Sequence, residues 1–328
     1  MSLEVLIWIA LAVLLVMGTP IFVSLGMASI TVLLLSDIPL SLVMIDLIKV
    51  SDMFPLLAVV GFVFAGALME RGGMAAQIVE VASMLVGHIR GGLGIVTILG
   101  CMFFASMIGS GPGTVAAMGS IMIPSMIKRG YSPEYAAGVS ATGGTLGILI
   151  PPSNPMIIYG VVANTSIAGL FMAGFIPGFV LTSLMCITAY CIAKKRGYQG
   201  TNEKFSIVGL CKAIWDGKWA LATPVIILGG IYGGIFTPTE AAAVSAVYGL
   251  FVGLFIYRSL SLRDMKKILI DSASTTAVVM FITAAASLFA YVLTRARIDV
   301  AISSALETFA GGNTVVFLII VNVCLLIA

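Results

Sequence analysis

Apolar runs of about 17 to 25 residues recur along the chain, separated by short polar or basic segments. Each run is long enough to cross a hydrocarbon layer of about 30 Å as a helix. The alternating apolar and polar pattern of a membrane β-barrel is absent from the sequence. The pattern therefore predicts an all-α integral membrane protein, a polytopic helical bundle.

Two of the apolar stretches are interrupted by residues that disfavour helix. Residues 109–114 read Gly-Ser-Gly-Pro-Gly-Thr, and residues 143–155 are rich in glycine and then in proline. A backbone broken at membrane depth leaves N–H and C=O groups that lipid cannot satisfy. Such a break survives only where it lines a polar cavity or is buried in protein. The two interruptions therefore predict a binding site.

Composition narrows the function classes. The chain is 60% hydrophobic and 9% charged, against about 25% charged in soluble domains, so membrane lipid is an expected partner. The net charge of +3 does not indicate a nucleic-acid partner. Five cysteines without C-x-x-C spacing and one histidine give no zinc site or disulfide framework. An enzyme is disfavoured because Asp271 is almost the only acid in the apolar segments, which carry no histidine or lysine.

Basic clusters orient the chain, since loops rich in Lys and Arg stay in the cytoplasm. The richest loops contain Lys194, Lys195, Arg196, Lys204, Lys212 and Lys218, and then Arg258, Arg263, Lys266 and Lys267. Between them, helices over about 219–236 and 240–257 go out and return. Thr237, Pro238 and Glu240 have the spacing of a helix-capping box. The alternative for Glu240 is an ion-coupling carboxylate.

The same rule predicts a hairpin over 91–127, because His88 and Arg90 precede it and Lys128 and Arg129 follow it. Its tip at 110–114 is small and neutral, which favours a re-entrant hairpin buried in protein. A plain helical hairpin with a turn at the far surface is the alternative.

A broken helix is predicted over 133–164, with Ser132 as N-cap and Pro133 at the first helical position. It runs to about Gly147, unwinds at Pro151 and Pro152, and resumes past Pro155, because proline removes a helical hydrogen bond and restricts the residue before it. A return helix over 167–193 follows.

Three further segments are expected to be scaffold. Residues 3–35 form two short crossings or one kinked crossing, and the segment 40–49 is too short to span. Residues 75–87 have an apolar helical face, including Ala75, Ile78, Ala82 and Leu85, and predict a helix along the membrane interface. This helix is either an arm that joins moving and static parts or a simple anchor.

Broken helices suit two kinds of ligand. A half-helix that begins in mid-membrane directs free N–H groups at a carboxylate, and one that ends there directs free carbonyls at a hard cation such as sodium. The alternative for each Ser or Thr is bonding to its own helix or packing between helices. Thr114, Ser153 and Asn154 lie at expected starts, and Ser106, Ser110, Gly143, Thr145 and Gly147 near expected ends.

Three strings carry a resemblance over nearly the whole chain: FFASMIGSGPGTVAAMGSIMIPSMIKRGY, ILIPPSNPMIIYGVVANTSI and GGIYGGIFTPTEAAAVSAVYGL. They closely resemble the large membrane subunit of tripartite ATP-independent periplasmic (TRAP) transporters. The resemblance implies a multi-pass permease of the bacterial inner membrane, built from inverted repeats and driven by sodium. It further implies elevator motion, a small membrane subunit as partner, and an organic acid delivered by a periplasmic binding protein.

The resemblance also implies which residues form the site. Substrate contacts are expected at Ser110, Gly111, Thr114, Pro152, Ser153 and Asn154. Sodium ligands are expected at Ser106, Ser110, Gly113, Gly143, Thr145 and Gly147. The substrate class is expected to be sialic acid or a C4-dicarboxylate, with the tip sequence leaning towards sialic acid. A passive channel, or an ion-coupled carrier without a binding protein, is the alternative.

The expected organisation has five parts. They are N-terminal scaffold helices over 1–53, a scaffold helix and arm over 54–90, a first-repeat transport region over 91–194, a cytoplasmic loop and scaffold pair over 195–267, and the start of a second repeat over 268–328. The second repeat would be incomplete, because a second hairpin and a second Pro-Pro break are missing, so we expect a C-terminally truncated sequence.

Overall fold

The computed structural model describes residues 3–36, 41–201 and 205–327, so the predictions for Leu40 and Lys204 lie outside it. The described residues form helices α1 (Leu3–Val16), α2 (Ile21–Leu35), α3 (Ser41–Ser51), α4 (Leu57–Arg71), α5 (Met74–Val86), α6 (Gly92–Ile108), α7 (Gly111–Lys128), α8 (Pro133–Gly143), α9 (Leu146–Leu149), α10 (Asn154–Val162), α11 (Ile167–Lys195), α12 (Ile207–Tyr232), α13 (Pro238–Phe251), α14 (Leu262–Arg295), α15 (Ile298–Ala310) and α16 (Thr314–Ile327). A 3₁₀ turn, Phe54–Leu56, precedes α4, and a π-helical turn, Val252–Ile256, follows α13.

Five helical segments are long and apolar enough to cross a membrane: Phe54–Arg71, Pro133–Val162, Ile167–Arg196, Pro238–Ile256 and Leu262–Arg295. Shorter apolar helices include α2 and α6. The polytopic helical membrane fold predicted from the sequence is therefore confirmed.

The helices group into two compact units, described separately. The first contains the described residues up to Asp52 together with those from Val278 onward. Within it α1 packs against α2, and its core includes Ile7, Leu33 and Leu288. The turn between α1 and α2 contains Gly18 at φ 76°. The segment 3–35 is thus two helices, which settles the alternative that the sequence left open.

The second unit, Met53–Ala277, is built around α6. This helix packs against α4, α5, α7, α8, α9, α11 and α12, and most of its residues are buried, Val96, Cys101 and Phe104 among them. A helix without a solvent-facing stripe belongs in the middle of a bundle. The hairpin formed by α6 and α7 is consequently held in place by protein on several sides.

The amphipathic helix α5 packs against α6 and α12. Ala75, Ile78 and Ala82 are buried on its inner face, as the apolar spacing predicts. Leu85 was assigned to the same face but is 40% exposed, because it lies in the last turn of the helix, beyond the buried stripe.

The pair α12 and α13 follows the predicted path with different limits. Helix α12 begins at Ile207, well before the predicted start near Trp219, and continues through Pro224. At the start of α13, a carboxylate oxygen of Glu240 accepts hydrogen bonds from the Thr237 backbone N–H at 2.7 Å and the Thr237 hydroxyl at 2.8 Å. The Thr237 hydroxyl oxygen accepts from the Glu240 backbone N–H. The capping interpretation of Glu240 is confirmed.

Thr237→Ala should lower the free energy of unfolding by about 1 kcal/mol, as is usual for loss of a threonine cap. Glu240→Gln should leave it nearly unchanged, because glutamine also serves in a capping box. Thermal unfolding of both variants checks this. A loss in Glu240→Gln as large as that in Thr237→Ala would contradict the expectation.

Asp271, the acid that the sequence singles out in the apolar segments, lies on α14. One of its carboxylate oxygens accepts a hydrogen bond from the guanidinium of Arg71 at 2.8 Å. The pair joins the end of α4 to α14, which gives this acid a structural partner.

A local pattern occurs twice along the chain. Helix α4 ends at Arg71, Gly73 takes a left-handed conformation, and the 13-residue amphipathic helix α5 follows. Helix α14 ends at Arg295, Arg297 is left-handed, and the 13-residue amphipathic helix α15 follows. Each amphipathic helix is succeeded by a glycine-containing turn and an apolar helix.

Three tyrosines link the basic ends of α7 and α11 to the start of α8. The rings of Tyr131 and Tyr198 stack at 4.4 Å between centroids, and Tyr135 lies against both. The Tyr135 hydroxyl donates to the Ala189 carbonyl at 2.9 Å, and the Tyr198 hydroxyl accepts from the Ser132 N–H at 3.1 Å. Hydrogen bonds with Ser132 hold the pKa of Tyr198 below its ordinary value.

Candidate functional site

The hairpin tip is a two-residue connection. Helix α6 ends at Gly109, whose φ of 66° lies in the left-handed region that glycine adopts without steric cost. Ser110 is extended and caps α7, and its hydroxyl oxygen accepts from the Gly113 N–H at 3.4 Å. One half-helix therefore ends, and another begins, within two residues.

The break that follows lies close to the predicted place. Gly144 and Thr145 keep helical backbone angles between α8 and α9, and tight turns continue as far as Leu149. The chain leaves helix at Ile150 and returns to it at Asn154. The helix was predicted to run to about Gly147 and to resume past Pro155, so the break is slightly shorter than predicted.

Helix α10, after the break, starts in the same way as helix α7, after the hairpin tip. Ser153 has φ −131° and ψ 122°, nearly equal to the −133° and 123° of Ser110. Its hydroxyl oxygen accepts from the Met156 N–H at 3.5 Å. Both starts read Ser-x-Pro, with proline in the first turn, where its missing N–H is not needed.

The tip of the hairpin packs directly on the break. The Asn154 N–H, at the start of α10, donates to the Gly109 carbonyl, at the end of α6, at 3.0 Å. A Cβ added to Gly109 would lie 2.4 Å from the Pro152 carbonyl oxygen. A Cβ added to Gly147 would lie 2.6 Å from the Ser110 carbonyl oxygen. The starts of α7 and α10 and the ends of α6 and α9 meet here, at distances that only glycine allows at Gly109 and Gly147. We call this arrangement of residues 109–114 against residues 147–154 the tip–break contact.

Most hydroxyl groups at or beside this contact donate their protons to backbone carbonyl groups. Thr114 donates to the Ser110 carbonyl at 2.8 Å, and Ser153 to the Ile148 carbonyl at 2.6 Å. Ser106 donates to Phe103, and Thr145 to Thr142. A hydroxyl that has donated its proton can still offer oxygen lone pairs, so these four groups suit a cation better than an anion.

Asn154 differs from these residues. It is 8% exposed, and its side-chain oxygen is buried without a hydrogen-bond partner among the described residues. An unsatisfied buried acceptor costs about 1–3 kcal/mol, which a ligand with a positive charge or a donor would offset. This oxygen belongs to the first residue of α10, whose backbone N–H donates to the Gly109 carbonyl.

The residues assigned to the site from the sequence do not all gather there. Gly111 and Pro152 are buried within the contact, and Gly113 is half-buried. Gly143 instead lies against Cys101, about 12 Å along α6 from the tip, where it allows close packing. Thr145 is exposed on the surface beside the contact.

Two glycines of the predicted interruptions were not among the expected substrate or sodium contacts. Gly109 supplies the carbonyl that accepts from Asn154, and Gly144 lies against the Gly111 carbonyl. The signal for Gly109 was available, because glycine directly after a helical run is the usual C-terminal cap.

Comparison with known proteins identifies the family. The profile described as "Tripartite ATP-independent periplasmic transporter, DctM component" matches residues 8–328. The chain belongs to this TRAP permease family. It is 43% identical over 306 residues to the C4-dicarboxylate TRAP transporter large permease protein DctM of Pseudomonas aeruginosa, covering 93% of this chain and 71% of that relative.

Other relatives carry other names. The isethionate TRAP transporter permease protein DctMQ of Oleidesulfovibrio alaskensis is 39% identical over 317 residues, covering 96% of this chain and 50% of the relative. The sialic acid TRAP transporter large permease protein SiaM of Vibrio cholerae is 39% identical over 275 residues, covering 84% and 64%. The chain thus spans from half to about 71% of the length of these three relatives.

Proposed function

We propose that this TRAP permease imports a small organic anion by sodium-coupled secondary transport, and that the tip–break contact is half of its site. The observation that carries the proposal is the hydrogen bond from the Asn154 N–H to the Gly109 carbonyl. It holds helix starts, which attract anions, next to helix ends, which attract cations. A site of that kind suits transport of an anion together with sodium.

The donors and acceptors divide between the two ligands. The Asn154 side-chain oxygen and the hydroxyl oxygens of Ser106, Thr114 and Ser153 are available as acceptors, which is the chemistry of sodium ligands. The Ser110 hydroxyl accepts from Gly113, so its own proton can be donated to a substrate carboxylate. Among the described residues no group of three or more His, Cys, Asp and Glu side chains could hold a metal.

The substrate class remains an organic anion rather than one acid. Relatives are named for a C4-dicarboxylate, sialic acid and isethionate, and the last of these is a sulfonate. These three compounds share an anionic group, which the first-repeat site would bind. The preference for sialic acid that the tip sequence suggests stays a proposal.

The remaining parts of the proposal rest on family membership. A small membrane subunit and a periplasmic binding protein would be the partners, in a bacterial inner membrane. The duplicated pattern of α4–α5 and α14–α15 supports an inverted repeat, with residues from 268 onward beginning its second copy. The amphipathic helices α5 and α15 would be the arms of an elevator.

Proteoliposomes containing the permease and its small subunit test the proposal. With the binding protein present, uptake of a labelled acid such as succinate or sialic acid should require an inward sodium gradient. Replacing sodium by choline, or omitting the binding protein, should each reduce uptake to background. Uptake that needs neither would favour the passive channel, and uptake that needs sodium alone would favour a carrier without a binding protein.

A further inference from the structure

A groove runs along the surface of the second unit between α8 and α11. It encloses about 470 Å³ and is floored in part by Ile98 of α6. Apolar and small side chains line most of it, among them Gly138, Val139, Leu181, Leu184 and Met185. It lies outside the tip–break contact, on segments that are apolar enough to span a membrane.

One end of the groove is charged. Arg196 and Glu134 line that end, where α11 finishes and α8 begins. Arg196 is held in place, because its guanidinium donates to the Ser132 hydroxyl at 3.2 Å and lies 6.0 Å from the centre of the Tyr135 ring. The exposed Lys194 and Lys195 add positive charge beside it.

The dimensions agree with one lipid chain. From Arg196 to Leu181 the groove follows α11 for about 22 Å at 1.5 Å per residue. One leaflet with its headgroup region is about 20–22 Å thick, half of a bilayer of about 40–45 Å. A chain whose head is at Arg196 would therefore lie along the groove within a single leaflet.

We propose that this groove binds a membrane phospholipid, with its phosphate on Arg196 and an acyl chain between α8 and α11. The fixed guanidinium matches a phosphate, which it can contact with two N–H groups. The apolar lining matches the chain, and basic residues at the interface attract lipids of the negatively charged leaflet. The bound lipid would cover the tyrosine-linked ends of α7, α8 and α11.

Gly138 provides a sharp test. A Cβ added there meets no atom within 4 Å, so Gly138→Phe fills the groove without a clash at Cβ. Gly229 on α12 is equally open and outside the groove, which makes Gly229→Phe the matched control. Arg196→Gln removes the phosphate contact while leaving the groove unfilled.

The measurement is cross-linking of purified protein reconstituted in vesicles that contain a phosphatidylglycerol with a photoreactive acyl chain. We expect labelled peptides from α8 and α11 in the unmodified protein and in Gly229→Phe. Labelling of these peptides should fall about tenfold in Gly138→Phe, because the acyl chain is displaced. It should fall by about the same factor in Arg196→Gln, because one charge-assisted contact is lost. Equal labelling in all four proteins, or no labelling of α8 and α11 in the unmodified protein, would overturn the proposal.

Discussion

A Gly147→Ala variant is expected to lose sodium-dependent uptake by about 100-fold, the cost of an ångström-scale misplacement in a positioned site. Its new Cβ would lie 2.6 Å from the Ser110 carbonyl oxygen and 2.8 Å from the Thr114 hydroxyl oxygen. The Ser110 carbonyl is part of the backbone at the N-cap of α7, so it cannot move aside without separating the tip from the break. Uptake in proteoliposomes, corrected for the amount of protein, measures the loss.

Two other glycines serve as controls for that variant. Gly138→Ala on α8 and Gly229→Ala on α12 each add a Cβ that meets no atom within 4 Å. We expect both to keep uptake within about threefold of the unmodified protein, since neither new Cβ displaces a neighbour. Uptake by Gly147→Ala at the level of Gly138→Ala would mean that the tip–break contact is not part of the site.

Asn154→Leu is expected to abolish sodium-dependent uptake while the protein remains at least as stable. The substitution removes a buried oxygen that has no hydrogen-bond partner in the described part of the chain, and such a group costs about 1–3 kcal/mol when left unsatisfied. Thermal unfolding without sodium should therefore be unchanged or shifted upward. Loss of one contact to a charged ligand costs up to about 3 kcal/mol. For sodium this corresponds to a roughly 100-fold fall in apparent affinity.

Ser140→Ala is the matched control for Asn154→Leu. Ser140 is fully buried on α8, and its hydroxyl also lacks a hydrogen-bond partner within the described ranges, but it faces α7 near Gly119 rather than the tip. Removing its hydroxyl should leave uptake unchanged. If both variants lost uptake equally, the effect would come from packing between helices and not from a ligand at Asn154.

The local parts of the fold could be predicted from the sequence. Ser132, Thr237 and Glu240 were assigned as caps, and the structure has each in that role, because capping depends on residues within one turn. The helical hairpin was predicted from charges at its two ends. Its tip lies beside a break within a crossing helix, which favours the re-entrant arrangement over a turn at the far surface.

The close contacts could not be predicted in the same way. Whether Gly144 unwinds a helix depends on what packs against it, and here the Gly111 carbonyl lies 3.2 Å from its added Cβ position. The separation of Gly143 from the tip likewise depends on the pairing of α6 with α8. The sequence shows which residues are glycines and so allow two helices to approach closely. Which helix packs against each glycine depends on the tertiary structure.

Sodium-dependent thermal stabilisation tests the central claim most directly. A ligand that binds only the folded protein stabilises it, by about 2.7 kcal/mol at 100 times its dissociation constant. The unmodified protein and Gly138→Ala should unfold at a higher temperature in sodium chloride than in choline chloride at equal ionic strength. Gly147→Ala and Asn154→Leu should show no such difference. The same sodium increment in all four proteins, or none in the unmodified protein, would contradict a sodium site at the tip–break contact.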